Sequence, residues 1–160
     1  AVYCARVGGE ITVMVSKQTL QARCGCKALV VELAGVPERR FLCCCSECQR
    51  RTGAAFSISW YYPPGEAAHL QGDYATFRRV GTAGTPYAFH YCTSCGSTVF
   101  WTVESTGDIG VAAGCIPAAD HVAPVRVVWV QSRVPWVPLP TDIPWHGQGT
   151  ASAVVRTPYP

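Results

Sequence analysis

Eight of the ten cysteines in this 160-residue chain fall in three tight clusters: Cys24-Gly25-Cys26, Cys43-Cys44-Cys45-Ser46-Glu47-Cys48 and Cys92-Thr93-Ser94-Cys95. Sulfurs two or three residues apart converge on one ion from a single turn, and zinc prefers soft thiolates in a tetrahedron. Disulfide partners rarely lie so close, because near neighbours cannot reach the required Cα separation and dihedral without strain. The clusters therefore predict metal sites.

In an extended backbone, residues i and i+2 point the same way. Cys24 and Cys26 can then grip one ion, and so can Cys43 and Cys45. Cys92 and Cys95 have the spacing of a zinc knuckle, with Gly96 after them and Gly25 inside the first pair, where the backbone must curl under a ligand sphere. Two such pairs make a closed four-sulfur site. The middle cluster offers three sulfurs, Cys43, Cys45 and Cys48, from one loop. Three protein ligands and an open fourth position are what a catalytic zinc requires. Cys44 should point away from that ion if the chain is extended; if the loop bends, it closes the site. Spacing alone does not fix the pairing, since Cys24 and Cys26 can also join the middle cluster.

The elements that must carry these ligands are short strands. Ile11–Val15, 27–33, 56–61, 74–79, 87–91, Thr98–Val103, 109–113 and 125–131 are rich in β-branched or aromatic residues and are separated by glycine and proline turns. One helical turn is expected from Ser46, as cap, to Thr52, with Gly53 ending it. A second turn of helix is allowed over 65–70. Eight of the 12 prolines lie from Pro117 onward, so 134–140 is expected as an extended strap over the core. A chain of this length predicts one domain with a real core. Its expected parts are an N-terminal strand region over 1–20, a zinc-binding domain over 21–147 and a loosely held tail over 148–160.

Composition narrows the function. The formal charge is +3, with 11 of the 13 basic residues being arginine and no polybasic run. Seven thiolates on two divalent ions would remove that charge, so nucleic acid is not an expected partner. No apolar run reaches the ~18–20 residues of a membrane span. No export-signal pattern is present, so a reducing cytoplasm is expected, where clustered thiols serve metals more often than disulfides.

The ordered clusters resemble those of the glutathione-dependent formaldehyde-activating enzyme family, which includes the centromere protein V domain and has the Mss4-like, or β-tent, zinc fold. The residues that carry the likeness run from about Gln21 to Gly147. They are Cys24-Gly-Cys26, the stretch from Cys43 through Cys48-Gln-Arg-Arg-Thr-Gly53-Ala-Ala-Phe56, Gly72, Phe89-His-Tyr-Cys92-Thr-Ser-Cys95-Gly-Ser97, Ala113-Gly114 and Ser132-Arg-Val-Pro-Trp136. The resemblance implies a mainly β fold of antiparallel sheets hinged near the metal, with few short helices. It implies a structural zinc on Cys24, Cys26, Cys92 and Cys95, and a second, catalytic-type zinc on Cys43, Cys45 and Cys48. It implies a carbon–sulfur lyase type of reaction in which glutathione and formaldehyde give S-(hydroxymethyl)glutathione. The chain departs from the family at Cys44, where histidine is usual, and at Gly114-Cys115-Ile116-Pro117.

That reading predicts roles for neighbouring residues. Glu47, inside the second cluster, is a candidate proton shuttle, or else a carboxylate that favours the helix start. Arg50 and Arg51 are candidates for glutathione's carboxylates, which suit arginine forks; Lys27 is a weaker one. Phe56 and Trp60 either wall a pocket or fill the core. His90 is expected as a packed residue near the knuckle, and Cys115 as a buried thiol. The competing readings are a non-catalytic zinc module that binds a partner, and a thiol redox protein using Cys115 or Cys44.

Overall fold

The structure, a computed structural model, describes residues 2–7, 10–15 and 19–155. Strands β1 (Val2–Val7) and β2 (Glu10–Val15) pair antiparallel as a hairpin. Strands β3 (Leu20–Arg23) and β4 (Val30–Leu33) follow, then β5 (Arg39–Cys43), helix α1 (Ser46–Thr52) and β6 (Ser57–Tyr62). The chain continues through β7 (Ala67–Gln71), β8 (Tyr74–Val80), β9 (Pro86–Cys92), β10 (Thr98–Val103) and β11 (Ile109–Ala112). It ends with β12 (Arg126–Val128), β13 (Trp145–His146) and β14 (Val154–Val155).

Two sheets carry the fold. The small one has the order β3-β4-β7, and the large one β14-β13-β12-β5-β6-β11-β10-β9-β8. The fold is mainly β, as expected, but the large sheet is mixed. β12 lies parallel to both β5 and β13, while the remaining strand pairs of the sheet are antiparallel. The main core sits between the sheets, where Leu20, Leu29, Val31 and Leu33 meet Trp60, Tyr62, Val99 and Val111. A second cluster of Leu42, Cys44, Val127, Val130 and Trp145 fills the parallel end.

Strand alternation decides what each face can do. On β6, Trp60 and Tyr62 are fully buried in the core, and Ser57, Ser59 and Tyr61 take the other face. That other face repeats across the sheet. Tyr61 pairs with Gly110, Gly110 with Trp101, Trp101 with Phe89, and Phe89 with Phe77. The result is one row of aromatic side chains across β6, β10, β9 and β8. Gly110 is the gap that lets it form, because a Cβ there would lie 2.1 Å from the Trp101 indole.

Some expectations are corrected. Cys45, not Ser46, caps α1: it is extended at φ −64° and ψ 150°, and its Sγ accepts from the Cys48 amide. Gly53 closes the helix in the left-handed region at φ 63°, as expected. The stretch 67–71 is a strand, because pairing with β4 outweighs the helix preference of its alanines. Run 125–131 splits, since Trp129 turns left-handed at φ 59° and a 3-10 turn, Val130–Ser132, follows. The strap lays Leu139 on the second cluster while leaving Trp136 exposed. Of the tail, Val154–Val155 is held by β13; residues 156–160 lie outside the described residues, as does the side chain of Cys4. Among the described residues, no helix is long and apolar enough to cross a membrane.

Candidate metal centres and their cavity

The first knuckle closes the β3–β4 hairpin and the second closes the β9–β10 hairpin. Lys27 N donates to Cys24 O in one turn, and Gly96 N donates to Cys92 O in the other. The two turns meet. Cys24 Sγ and Cys26 Sγ are 3.5 Å apart, and Cys26 Sγ and Cys92 Sγ are 3.7 Å apart. All four sulfurs of Cys24, Cys26, Cys92 and Cys95 lie within 4.8 Å of one another. A tetrahedron with zinc–sulfur bonds of about 2.3 Å has edges of about 3.8 Å, whereas a disulfide would need about 2.05 Å. The nine described cysteines are all free.

The donors are also prepared for negative charge. Leu29 N donates to Cys24 Sγ at 3.2 Å. The Ser97 hydroxyl and then the Ser97 and Cys26 amides pull the Cys95 thiol down to about 5. The Ala28 amide acts the same way on Cys26, but the neighbouring sulfurs of Cys24, Cys95 and Cys92 outweigh it and raise that thiol to about 12. Four sulfurs this close cannot all ionise without a cation among them. The set fits a divalent metal.

The second group forms where β5 runs into α1. Cys43 ends the strand, Cys45 caps the helix and Cys48 sits in its first turn. Their three sulfurs also lie within 4.8 Å of one another. Cys48 N donates to Cys45 Sγ at 3.4 Å. Hydrogen bonds from Cys43, Cys45 and Ser57, and the charge of Arg51, draw the Cys48 thiol far below its ordinary value. Hydrogen bonds with Cys45 and Cys48, and then burial, push Cys43 far above it. Three sulfurs with this unequal sharing of protons again fit a divalent ion, to which they would supply three ligands.

Cys44 is not part of this group. It is 1% exposed and packs with Leu42, Val127, Val130 and Trp145 on the opposite side of the strand. Burial, and then the charges of Cys45 and Cys48, push its thiol up to about 12. The loop stays extended through Cys44, whose amide donates to Val128 O, so alternation sends its side chain inward.

A cavity of about 380 Å³ opens on the sheet face beside Cys43, Cys45 and Cys48. That volume lies in the range of about 300–1,000 Å³ usual for small-molecule sites. Its floor is the aromatic row, with Tyr61, Trp101, Phe89 and Tyr87; its wall includes Arg39, Arg51, Arg79 and Trp129. Arg39 pairs with Asp108 at 2.7 Å. Burial raises the phenols of Tyr61 and Tyr87, so both remain protonated donors.

The expected site residues separate here. Arg51 lines the cavity and Arg50 does not; Arg50 points outward and pairs with Glu47. Glu47 spends its carboxylate on Arg50 and, at 4.0 Å, on Arg79. Trp60 belongs to the core, and Phe56 packs on the second cluster. Lys27 sits in the Cys24–Leu29 turn at φ 66°. His90 is wedged between Thr76 and Thr102, with its ring stacked 4.4 Å from Phe100. No histidine joins either cysteine group among the described residues. Cys115 is a partly buried thiol donating to Thr98 O. Sequence reasoning missed Arg79, Tyr61, Trp101 and Phe89 as cavity residues, for each looks like ordinary strand composition until the register is known.

A model of the family described as glutathione-dependent formaldehyde-activating enzyme matches residues 19–132. Among solved structures, a Rhodobacter sphaeroides protein is similar, with 21% identity over 66% of this chain and 92% of that one and a TM-score of 0.49. No curated protein matches the chain.

Proposed function

Because the chain belongs to the glutathione-dependent formaldehyde-activating enzyme family, we propose that it joins a glutathione-like thiol to formaldehyde or a related aldehyde, in the cavity beside Cys43, Cys45 and Cys48. The reading that goes with it is a carbon–sulfur lyase with two zinc ions, one on Cys24, Cys26, Cys92 and Cys95 and one on the three-cysteine group. The observation that carries this reading is the three-sulfur group opening onto a ligand-sized cavity, with Cys44 turned away from it. Cysteines without disulfide partners at both sites suit a reducing compartment.

Zinc bound at Cys43, Cys45 and Cys48 would supply Lewis acidity, lowering the pKa of a thiol or polarising a carbonyl. The chain's own residues do the rest. The cavity brings thiol and aldehyde together, which replaces an encounter in solution by a held pair. The thiol sulfur forms a bond to the carbonyl carbon, the carbonyl π electrons go to oxygen, and the thiol proton ends on that oxygen as a hydroxyl. Tyr61, held protonated by burial, is a donor available on the cavity floor to hold the oxygen as charge develops. Arg51 offers a cation at the cavity wall for a substrate carboxylate. Glu47 is engaged by two arginines, so we assign it to positioning them instead of to proton transfer.

The test counts zinc and follows adduct formation. Cys45→Ser is the informative variant, because serine still caps the helix while a thiolate is lost. Wild type should bind two zinc ions per chain and form adduct faster than the uncatalysed mixture. Cys45→Ser should retain one ion and react no faster than that mixture. Two ions in wild type with no rate above the control would defeat the formaldehyde assignment; one ion would defeat the two-site reading.

A further inference from the structure

Trp129 stands in a backbone conformation that its side chain disfavours. It is left-handed, at φ 59° and ψ 38°, in a region that glycine enters freely and a bulky residue enters under strain. Among the described residues only one other non-glycine residue, Lys27, has a positive φ. Glycine would make this turn with less strain, so the turn alone gives no reason for a tryptophan. Backbone outliers of this kind gather where a side chain is put to use.

The turn changes which side of the sheet the chain presents. On β12, Val127 enters the second core cluster and Val128 lines the cavity. Continued alternation would bury Trp129 beside Val127 and turn Val130 outward. The left-handed step reverses this. Val130 is fully buried in the second cluster, and Trp129 joins Val128 in lining the cavity. The position is also close to the three-cysteine group. Val128 is the register partner of Cys43 in the β12–β5 pair, and Trp129 follows it directly. The turn is tied to the C-terminal segment: Trp129 N donates to Gln148 O at 2.9 Å, and the next residues, Gly149 and Thr150, line the same cavity.

We propose that Trp129 is a specificity-determining residue, the wall that limits the size of the group borne by the substrate sulfur beside Cys43, Cys45 and Cys48. This rests on the thiol-adduct reading above and deepens it by naming the residue that decides which aldehydes are accepted. Adducts of short aldehydes fit, and those of bulky, aryl-bearing ones do not. The strained turn is what aims the indole at the cavity. Glycine in its place would remove the strain and the wall together.

S-methylglutathione and S-benzylglutathione are the ligands for the test, because they differ only in the size of the group on sulfur and neither has a thiol to activate. Their binding to the zinc-loaded protein is measured by calorimetry for wild type, Trp129→Gly and Trp136→Gly. Wild type should prefer the methyl ligand by roughly 10-fold or more, the discrimination a fixed pocket wall gives against added carbon. In Trp129→Gly the two ligands should bind about equally. The exposed Trp136 is the control for loss of an indole, and its variant should match wild type. Trp129→Ala supplies a second readout. It lacks the ring but keeps a Cβ in the left-handed region, so it should melt below Trp129→Gly. An unchanged methyl-to-benzyl ratio in Trp129→Gly overturns the wall. Equal melting of the two Trp129 variants overturns the strain on which the assignment rests. No binding of either ligand to wild type at millimolar concentration overturns both the wall and the reading beneath it. A Trp129-dependent ratio without adduct turnover supports the wall and overturns the reaction; turnover with a Trp129-indifferent ratio does the reverse.

Discussion

At Cys44 one step of backbone separates a candidate ligand from a core residue. Cys43 and Cys45 flank it and face the cavity, while its own sulfur lies among Leu42, Val127, Val130 and Trp145. The consequence is testable with Cys44→Ala. Zinc content should stay at two ions per chain, and stability to urea should fall by about 1 kcal/mol, the cost of a small cavity in a packed cluster. Loss of one ion in this variant would make Cys44 a ligand after all. Much of this was legible in the sequence, because the i, i+2 rule for an extended chain already separates Cys44 from Cys43 and Cys45. The capping role of Cys45 was not legible. Serine is the usual cap, and only the helix start at Ser46 shows that the cysteine before it accepts the amide of Cys48.

At the scale of elements, the cavity floor depends on cross-strand register. Tyr61, Trp101 and Phe89 come from three strands, and they form a row because each strand meets its neighbour at one particular residue. A sequence reading finds most of these strands from their β-branched and aromatic runs, and it finds which side chains alternate. It does not find which residue lies opposite which, so Arg79 and Arg51 lining one cavity stayed hidden. It also misses β5, which starts with two arginines and ends in a candidate ligand, and β7, whose alanines suggest helix. Gly110 tests the floor directly. In Gly110→Val the new side chain starts where the Trp101 indole lies, 2.1 Å from its atoms. Overpacking of this kind costs about 1–3 kcal/mol. Trp101 must also leave its contact with Arg51, 4.7 Å from the ring. The expected result is a less stable protein with both metal ions bound and weaker binding of S-methylglutathione. Unchanged stability and binding would mean that the row tolerates a side chain at Gly110.

For the whole molecule, the two proposed metal sites should differ in what they hold together. Cys24 and Cys26 belong to a hairpin of the small sheet, and Cys92 and Cys95 to a hairpin of the large sheet. An ion among them would tie together the two layers that enclose the main core. Cys24 and Cys92 themselves are part of that core, at 3% and 1% exposure. The energy of binding a structural zinc is folding energy, because the unfolded chain has no such site. The three-cysteine group instead joins a strand end to the helix that follows it, within one stretch of chain from Cys43 to Cys48. An ion there would close no long loop, and Gln49 already anchors the helix by donating to Cys44 O at 2.7 Å and Ser132 O at 2.8 Å. Cys95→Ser and Cys45→Ser therefore should not behave alike. Cys95→Ser should lose an ion together with its cooperative thermal transition, with the near-ultraviolet signal of the buried Trp60 and Trp101 collapsing. Cys45→Ser should lose an ion and keep both. A chelator of increasing strength should reproduce the same order on wild type, releasing the first zinc with the melting curve intact and the second with unfolding. Release of both ions in one step, or a Cys95→Ser protein as stable as wild type, would show that the four-cysteine site does not clamp the two sheets.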